Sequence, residues 1–198
     1  MLFPYLSAIV AWGCVVVLLF QAFVMDSQAY RLVTGREYSS GTDSTVTPDE
    51  GHIPVIPFGS QWATLTVDGW KKRDIKVFFG DTGDLLKKGA GMWLNSRFCG
   101  QNGKLVLSAH VTSYFSELET TPIGTLITMD TVYGKYVYKV VDTHIFHKSD
   151  GSLLMPEDSE DQLIMYTCYP KNNNRLPRVK RMALICKKVE GKEWKTYG

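Results

Sequence analysis

A thiol, an imidazole and a guanidinium stand at the boundaries of three apolar segments of the chain. Cys168 ends one such segment just before Pro170, and His110 ends another. Arg181 precedes a third. Because short apolar segments of this kind are typical of buried strands, we expect the three groups to lie at strand ends, where they could meet in one groove. A nucleophile, a proton carrier and a fixed positive charge are what a cysteine acyltransferase needs.

Each group suits one step of acyl transfer. A free cysteine thiol, with a pKa of about 8.5, supplies little thiolate at neutral pH. A neighbouring imidazolium would stabilise the Cys168 thiolate and then protonate the leaving amine, so His110 is the predicted acid and base. The fork-shaped, permanently charged guanidinium of Arg181 suits a carbonyl oxygen on which negative charge develops.

The choice of arginine rests on the pattern of the last apolar segment. Arg175 and Arg178 also lie between Cys168 and that segment. A strand that began at Arg178 would carry Lys180 and Arg181 into its buried part. We therefore prefer Arg181 and keep the two others as alternatives.

These residues must be positioned by a β-rich domain. Seven apolar or alternating segments are separated by clusters of Gly, Asn, Asp and Pro, as in a closed or sandwiched β domain. Short helical turns are predicted at 83–88 and 114–119. The predicted strands are 63–67, 75–79, 105–109, 125–129, 136–141, 163–167 and 182–189.

The chain divides into three parts. Residues 2–25 contain no charged side chain, and about 20 apolar residues are enough to span a bilayer. A cleavable signal peptide is the alternative, but small residues of a cleavage site are missing at its end. Residues 26–59, rich in Ser, Thr, Gly and Pro, are the predicted linker or stalk, and 60–198 the predicted β domain.

Composition excludes several classes of function. The net charge of +2 mixes both signs without a nucleic-acid motif, so no nucleic acid is expected as a partner. Of the cysteines, Cys14 lies in the apolar N-terminal segment, and the other three are too few for a disulfide framework. We predict that Cys186 packs in the core and that Cys99 is a loop thiol without a role. His144 and His147 do not have the spacing of a zinc site.

Several motifs together resemble the sortases, the membrane-anchored cysteine transpeptidases of Gram-positive bacteria. Residues 163–168, with Thr167 before the cysteine, resemble the family's Thr-Leu-x-Thr-Cys motif. Residues 103–110 resemble its strand leading to the histidine, and 84–91 its Leu-x-x-Gly-x-Gly turn. Tyr-Phe at 114–115 and Cys-Tyr-Pro at 168–170 are most similar to class D. The chain departs from the family in having Ala109, rather than glycine, before the histidine.

The resemblance implies a fold and a reaction. The fold would be mostly β, a single closed barrel of about eight strands with short helices, preceded by one transmembrane helix. The enzyme would cut a Leu-Pro-x-Thr-Gly sorting signal after Thr through a thioacyl intermediate. It would then transfer the surface protein to an amine of a cell-wall precursor or a pilin. The domain would be extracellular, held at the cell membrane by its single-pass helix.

The resemblance also places substrate-binding residues. Thr167 lies beside the nucleophile, and Leu153, Leu154 and Met155 lie where the family reads the apolar residues of the signal. No cofactor or metal is expected. Some sortases bind calcium through acidic loops, but the acidic residues between 150 and 161 are better interpreted here as a solvated loop. Two alternatives stay open: a cysteine peptidase with water as acceptor, and a non-catalytic tethered domain that binds peptides.

Overall fold

A computed structural model describes residues 51–156, 160–172 and 178–195. In this part of the chain eight strands form a closed barrel. The strands are β1 (Gln61–Val67), β2 (Ile75–Phe79), β3 (Ala90–Met92), β4 (Lys104–Ser108), β5 (Leu126–Thr131), β6 (Gly134–His147), β7 (Gln162–Tyr169) and β8 (Lys180–Glu190). A short helix α1 (Gly83–Leu86) and two 3₁₀ turns (Leu118–Thr120 and Ser152–Leu154) lie in the connections.

The strands follow one another around the barrel in the order β1-β2-β3-β4-β7-β8-β6-β5, and β5 pairs with β1 to close it. Strand β7 lies between its parallel neighbour β4 and its antiparallel neighbour β8. This order brings the ends of β4 and β7 and the beginning of β8 to one edge. The predicted mostly β, closed barrel of about eight strands with short helices is confirmed.

Alternating side chains give the sheet two apolar faces. On β7, Leu163 and Met165 point into the main core, whereas Ile164 belongs to a second cluster on the outside of the barrel. Such alternation is the period-2 geometry of a strand. The outside of this part of the barrel is therefore also apolar, and neighbouring side chains rather than water cover Ile164, which is fully buried.

A buried carboxylate lies at the opposite end of β7, directly before its first residue. Asp161 accepts hydrogen bonds from the Tyr138 hydroxyl at 2.9 Å and the Gly100 amide at 2.8 Å, and its carboxylate is 3.5 Å from the Lys188 ammonium. Burial raises the pKa of this carboxyl above its ordinary value. The interpretation of the acidic segment as solvated is therefore wrong for Asp161, whose side chain ties three parts of the barrel together.

The sequence patterns located seven of the described strands and missed β3, whose Ala-Gly-Met sequence is too short and too weakly apolar to stand out. Strand β6 is longer than predicted and continues to His147. The predicted helical turns appear as α1 and, displaced by a few residues, as the first 3₁₀ turn. Cys186 packs in the core as predicted, and Cys99 lies in a turn, as predicted for a loop thiol, with its side chain fully buried.

Among the described residues, no helix has the length and apolar character needed to cross a bilayer. The predicted transmembrane segment 2–25, and the linker up to residue 50, lie outside the described residues.

Candidate active site

The histidine and the cysteine are brought together by the parallel pairing of β4 with β7. Ser108 is the register partner of Tyr166. His110 follows Ser108 by two residues, as Cys168 follows Tyr166, and a hydrogen bond from the Thr167 hydroxyl to the Ala109 carbonyl keeps the two chain segments together between them. Cys168 is half-buried near the end of β7, and His110 is exposed just after β4. The predicted thiol and imidazole thus share one edge of the barrel.

The turn after β4 fixes the backbone of His110. Its carbonyl accepts hydrogen bonds from the amides of Ser113 at 3.1 Å and Phe115 at 3.2 Å. Phe115 is fully buried in the main core, where its ring packs edge-on against Trp70. The histidine therefore begins a turn that is anchored in the barrel interior.

Arg181 lies on the other side of the thiol. It is the direct register partner of Cys168 across the antiparallel β7–β8 pair. Its Nη1 donates to the backbone carbonyls of Arg178 and Lys180, both at 3.0 Å. Arg178 precedes β8, and its Nη2 is 3.4 Å from the carbonyl of Lys171. The register therefore favours Arg181 as the cation of the site, while Arg175 lies outside the described residues.

Thr167 has a different position from the one expected of a residue that touches substrate. Its side chain is buried, and its hydroxyl donates a 2.7 Å hydrogen bond to the carbonyl of Ala109. This bond joins the residue before the cysteine to the residue before the histidine. We assign Thr167 to holding the two strand ends together rather than to substrate contact.

We call the outer face of β4, β7, β8 and β6 next to Cys168 the groove, and the outer apolar cluster its floor. Its buried members are Val106, Phe146, Ile164 and Ala183. The connection from β6 to β7 starts at the level of Tyr169 and returns to the level of Gln162. Within it, Leu153 and Leu154 pack against the cluster, whereas Met155 is 52% exposed. Two of the three predicted signal-binding residues thus line the floor, and Met155 lies beside it facing solvent.

Three polar residues at this groove were not singled out from the sequence, and we call Asp81, Ser108 and Tyr166 the polar cluster. Ser108 and Tyr166 lie two residues before His110 and Cys168, on the outward-facing side of the same strands. That spacing alone could have identified them. Strand spacing could not have identified Asp81, because it lies in the loop after β2 and not on the strands that lead to His110 and Cys168.

The other described thiols do not take part in this arrangement. Cys99 and Cys186 are fully buried in the main core. Burial raises the pKa of the Cys186 thiol to about 12 and also raises that of Cys99. Within the described ranges, no group of three or more His, Cys, Asp or Glu residues is placed to hold a metal ion. His144 instead stacks on Phe146, and His147 bonds to Ser149.

The geometry of this edge can be compared with known proteins. A family model described as the sortase domain matches residues 65–189, which include β2 to β7 and nearly all of β8. This chain belongs to the sortase family. The three proposed reacting groups, His110, Cys168 and Arg181, all lie inside the matched range.

The relatives that match include a class D sortase. The chain is 31% identical over 97 residues to Sortase D of Bacillus subtilis strain 168, a match covering 49% of each chain. The chain thus spans about half the length of this curated relative. The resemblance to class D within the sortases is confirmed at this level.

Solved sortase structures share the fold at lower identity. A sortase D5 transpeptidase of Clostridium perfringens has a TM-score of 0.61 at 18% identity, covering 69% of this chain and 83% of its own. Sortase C of Clostridium perfringens SM101 has a TM-score of 0.60 at 22% identity, covering 68% and 73%. Sortase C1 of Streptococcus agalactiae, studied in complex with MTSET, has a TM-score of 0.60 at 20% identity, covering 68% and 70%.

Proposed function

We propose that this sortase is a cysteine transpeptidase that cleaves a Leu-Pro-x-Thr-Gly type sorting signal after Thr and transfers the acyl group to an amine. One observation supports the proposal: β4 and β7 end side by side, Cys168 near the end of β7 is the register partner of Arg181, and His110 lies two residues after the end of β4. The match to the sortase family model is consistent with this chemistry.

In the first half-reaction the Cys168 thiolate attacks the carbonyl carbon of the threonine. The positive charge of Arg181, in register with the nucleophile, stabilises the oxyanion of the tetrahedral intermediate. His110 donates a proton to the leaving amine as the C–N bond breaks. The products are a thioester on Cys168 and the free C-terminal fragment of the signal.

In the second half-reaction an amine attacks the thioester carbonyl. A C–N bond forms, the C–S bond breaks, and the amine proton passes to His110. The acceptor in our proposal is an amine of a cell-wall precursor or of a pilin lysine. Water would convert the same intermediate into a hydrolysis product, which is the peptidase alternative.

The apolar side chains of the groove are suited to binding an apolar residue of the sorting signal. Leu153 and Leu154 are partly buried there and pack against the buried Phe146 and Ile164. Burial of one leucine side chain in such a site contributes about 1.5–3 kcal/mol. We therefore propose that Leu153 and Leu154 contact the leucine and proline of the signal. Residues 2–25 are proposed as the single-pass membrane helix that keeps the domain at the cell surface.

The full chain in detergent, incubated with a panel of sorting-signal peptides, tests the proposal. We expect a mass increase on Cys168 equal to the acyl fragment, and faster release of that fragment when amines are added. The Cys168→Ala variant is the control and should show no adduct. The absence of an adduct with every peptide would contradict the proposed function. A rate of acyl-fragment release that does not change when amines are added would favour the peptidase alternative.

A further inference from the structure

The residues around Cys168 differ in character on the two sides of the thiol. Towards β8 and β6 the outer face is apolar, with Phe146, Ile185 and the packed Leu153 and Leu154. Towards the end of β4 it carries Ser108 and Tyr166 of the polar cluster, next to the apolar Val106. Two reactants must meet at this thiol, and the apolar side already matches the apolar residues of the acyl donor.

The polar cluster is a continuous arrangement across three strands. Gly91 of β3 pairs with Ser108 of β4, which pairs with Tyr166 of β7. Burial raises the pKa of the Tyr166 hydroxyl, negative charge at Asp81 and Cys168 raises it further, and Ser108 and Arg181 lower it. The negative charge of Asp81 and that of a Cys168 thiolate therefore act on the same group, the Tyr166 hydroxyl.

Asp81 is held over the outside of β3 by the glycine beneath it. A Cβ atom at Gly91 would lie 2.7 Å from the Asp81 Cα and from the Gly80 carbonyl oxygen. Only a residue without a side chain lets the 80–81 backbone come this close. The loop after β2 is thus fixed against the sheet, and the carboxylate position is defined by the fold.

The Asp81 carboxylate is partly desolvated, which raises its pKa, and it lacks an ion-pair partner among the residues that the structure describes. By contrast, Asp84, three residues on, is paired with Lys87 at 2.8 Å and is highly exposed. A partly buried carboxylate without a countercharge favours a cation from outside the protein.

We propose that Asp81, with Ser108 and Tyr166, binds the ammonium group of the acceptor and delivers it to the thioester on Cys168. This inference rests on the proposed transpeptidase function and names the side from which the second substrate arrives. His110 follows β4 on this same side, so the base lies where the amine would enter. The ammonium releases one proton to water, and the second passes to His110 as the C–N bond forms and the C–S bond breaks.

The test separates the two half-reactions in the full chain. The acyl-enzyme is formed first with a sorting-signal peptide, and its loss is then followed with two nucleophiles near neutral pH. Nα-acetyl-lysine amide carries an ammonium group, and hydroxylamine is neutral. We expect Asp81→Asn to slow the lysine reaction by about fivefold, the usual upper effect of a partly exposed charge pair. Acylation and hydroxylaminolysis should change less than twofold.

Two control variants and a change of salt concentration test whether the charge of Asp81 is responsible for the effect. Asp84→Asn removes the same charge from the same segment and should leave both nucleophiles unaffected, and Asp81→Glu should retain most of the lysine rate. The fivefold effect should vanish in about 1 M salt, where the screening length is about 3 Å.

Equal slowing of both nucleophiles, slower acylation, or the same loss in Asp84→Asn would overturn the acceptor site while leaving the transpeptidase standing. Failure of every peptide to form the acyl-enzyme would overturn both.

Discussion

Cys168 differs from the other two described thiols in its access to solvent. Cys99 and Cys186 are fully enclosed by the main core, whereas Cys168 faces the groove. Of these three described thiols, a reagent that needs thiolate and access can reach only Cys168 while the barrel is folded. The sequence predicted the nucleophile and the core position of Cys186, but the burial of Cys99 depends on packing that the local sequence does not show.

This contrast predicts selective alkylation. In the native protein, iodoacetamide should modify Cys168 at least ten times faster than Cys99 or Cys186, and denaturant should remove the difference. Peptide mapping by mass spectrometry measures all three rates in one sample. Comparable native labelling of Cys186 would contradict the described core.

Arg181 and Arg178 provide a matched pair for testing the cation of the site. Loss of one donor to a developing oxyanion typically lowers kcat about 10²–10³-fold. We expect this loss for Arg181→Ala, with a small change in KM, and less than threefold for Arg178→Ala. Steady-state kinetics with a sorting-signal peptide gives both values, and the reverse order of the two variants would assign the role to Arg178.

At the scale of elements, the site depends on two parallel strand ends staying in register. The Thr167 hydroxyl donates a 2.7 Å hydrogen bond to the Ala109 carbonyl, and this bond joins the two strand ends. Its position inside the barrel means that neither water nor substrate replaces it. A buried carbonyl left without a partner costs about 1–3 kcal/mol.

Thr167→Val should therefore lower the free energy of unfolding by about 1–3 kcal/mol and reduce kcat more than it raises KM. Thr167→Ser keeps the hydroxyl and should recover most of both. Urea unfolding and peptide kinetics give the two measurements. If Thr167→Val changed only KM, the residue would be a substrate contact, as the family resemblance implied, and our positioning role would be wrong.

At the scale of the whole barrel, Asp161 connects the loop at Gly100, strand β6 through Tyr138, and strand β8 through Lys188. Its raised pKa means that folding favours the protonated carboxyl. Between the unfolded and folded pKa values the native state binds more protons than the unfolded state, so stability from this group falls as pH rises.

Asp161→Asn should remove this dependence. Relative to the variant, the free energy of unfolding of the wild-type protein should fall as pH rises from about 4, the pKa of an aspartate in the unfolded chain. It should stop falling once the pH is above the pKa of Asp161 in the folded protein. Urea unfolding of both proteins across this range tests the sign. A wild-type advantage that grew with pH would show that hydrogen bonds and Lys188 outweigh burial.

The sequence by itself determined the strands with long apolar or alternating patterns, the stop at Pro170, and the candidate reacting groups His110, Cys168 and Arg181. These features are local, because strand period, proline geometry and side-chain chemistry act within a few residues. The family resemblance was carried by the same local motifs.

Only the tertiary structure decided which side chains share a face and which are enclosed. Pairing of β4 with β7 joins residues far apart in the chain, and it turned Thr167 inward while leaving Cys168 in the groove. Asp81 reaches the site because the chain folds back over Gly91, and Asp161 is buried because three elements converge on it. Such contacts depend on long-range packing, for which no short stretch of sequence carries the signal.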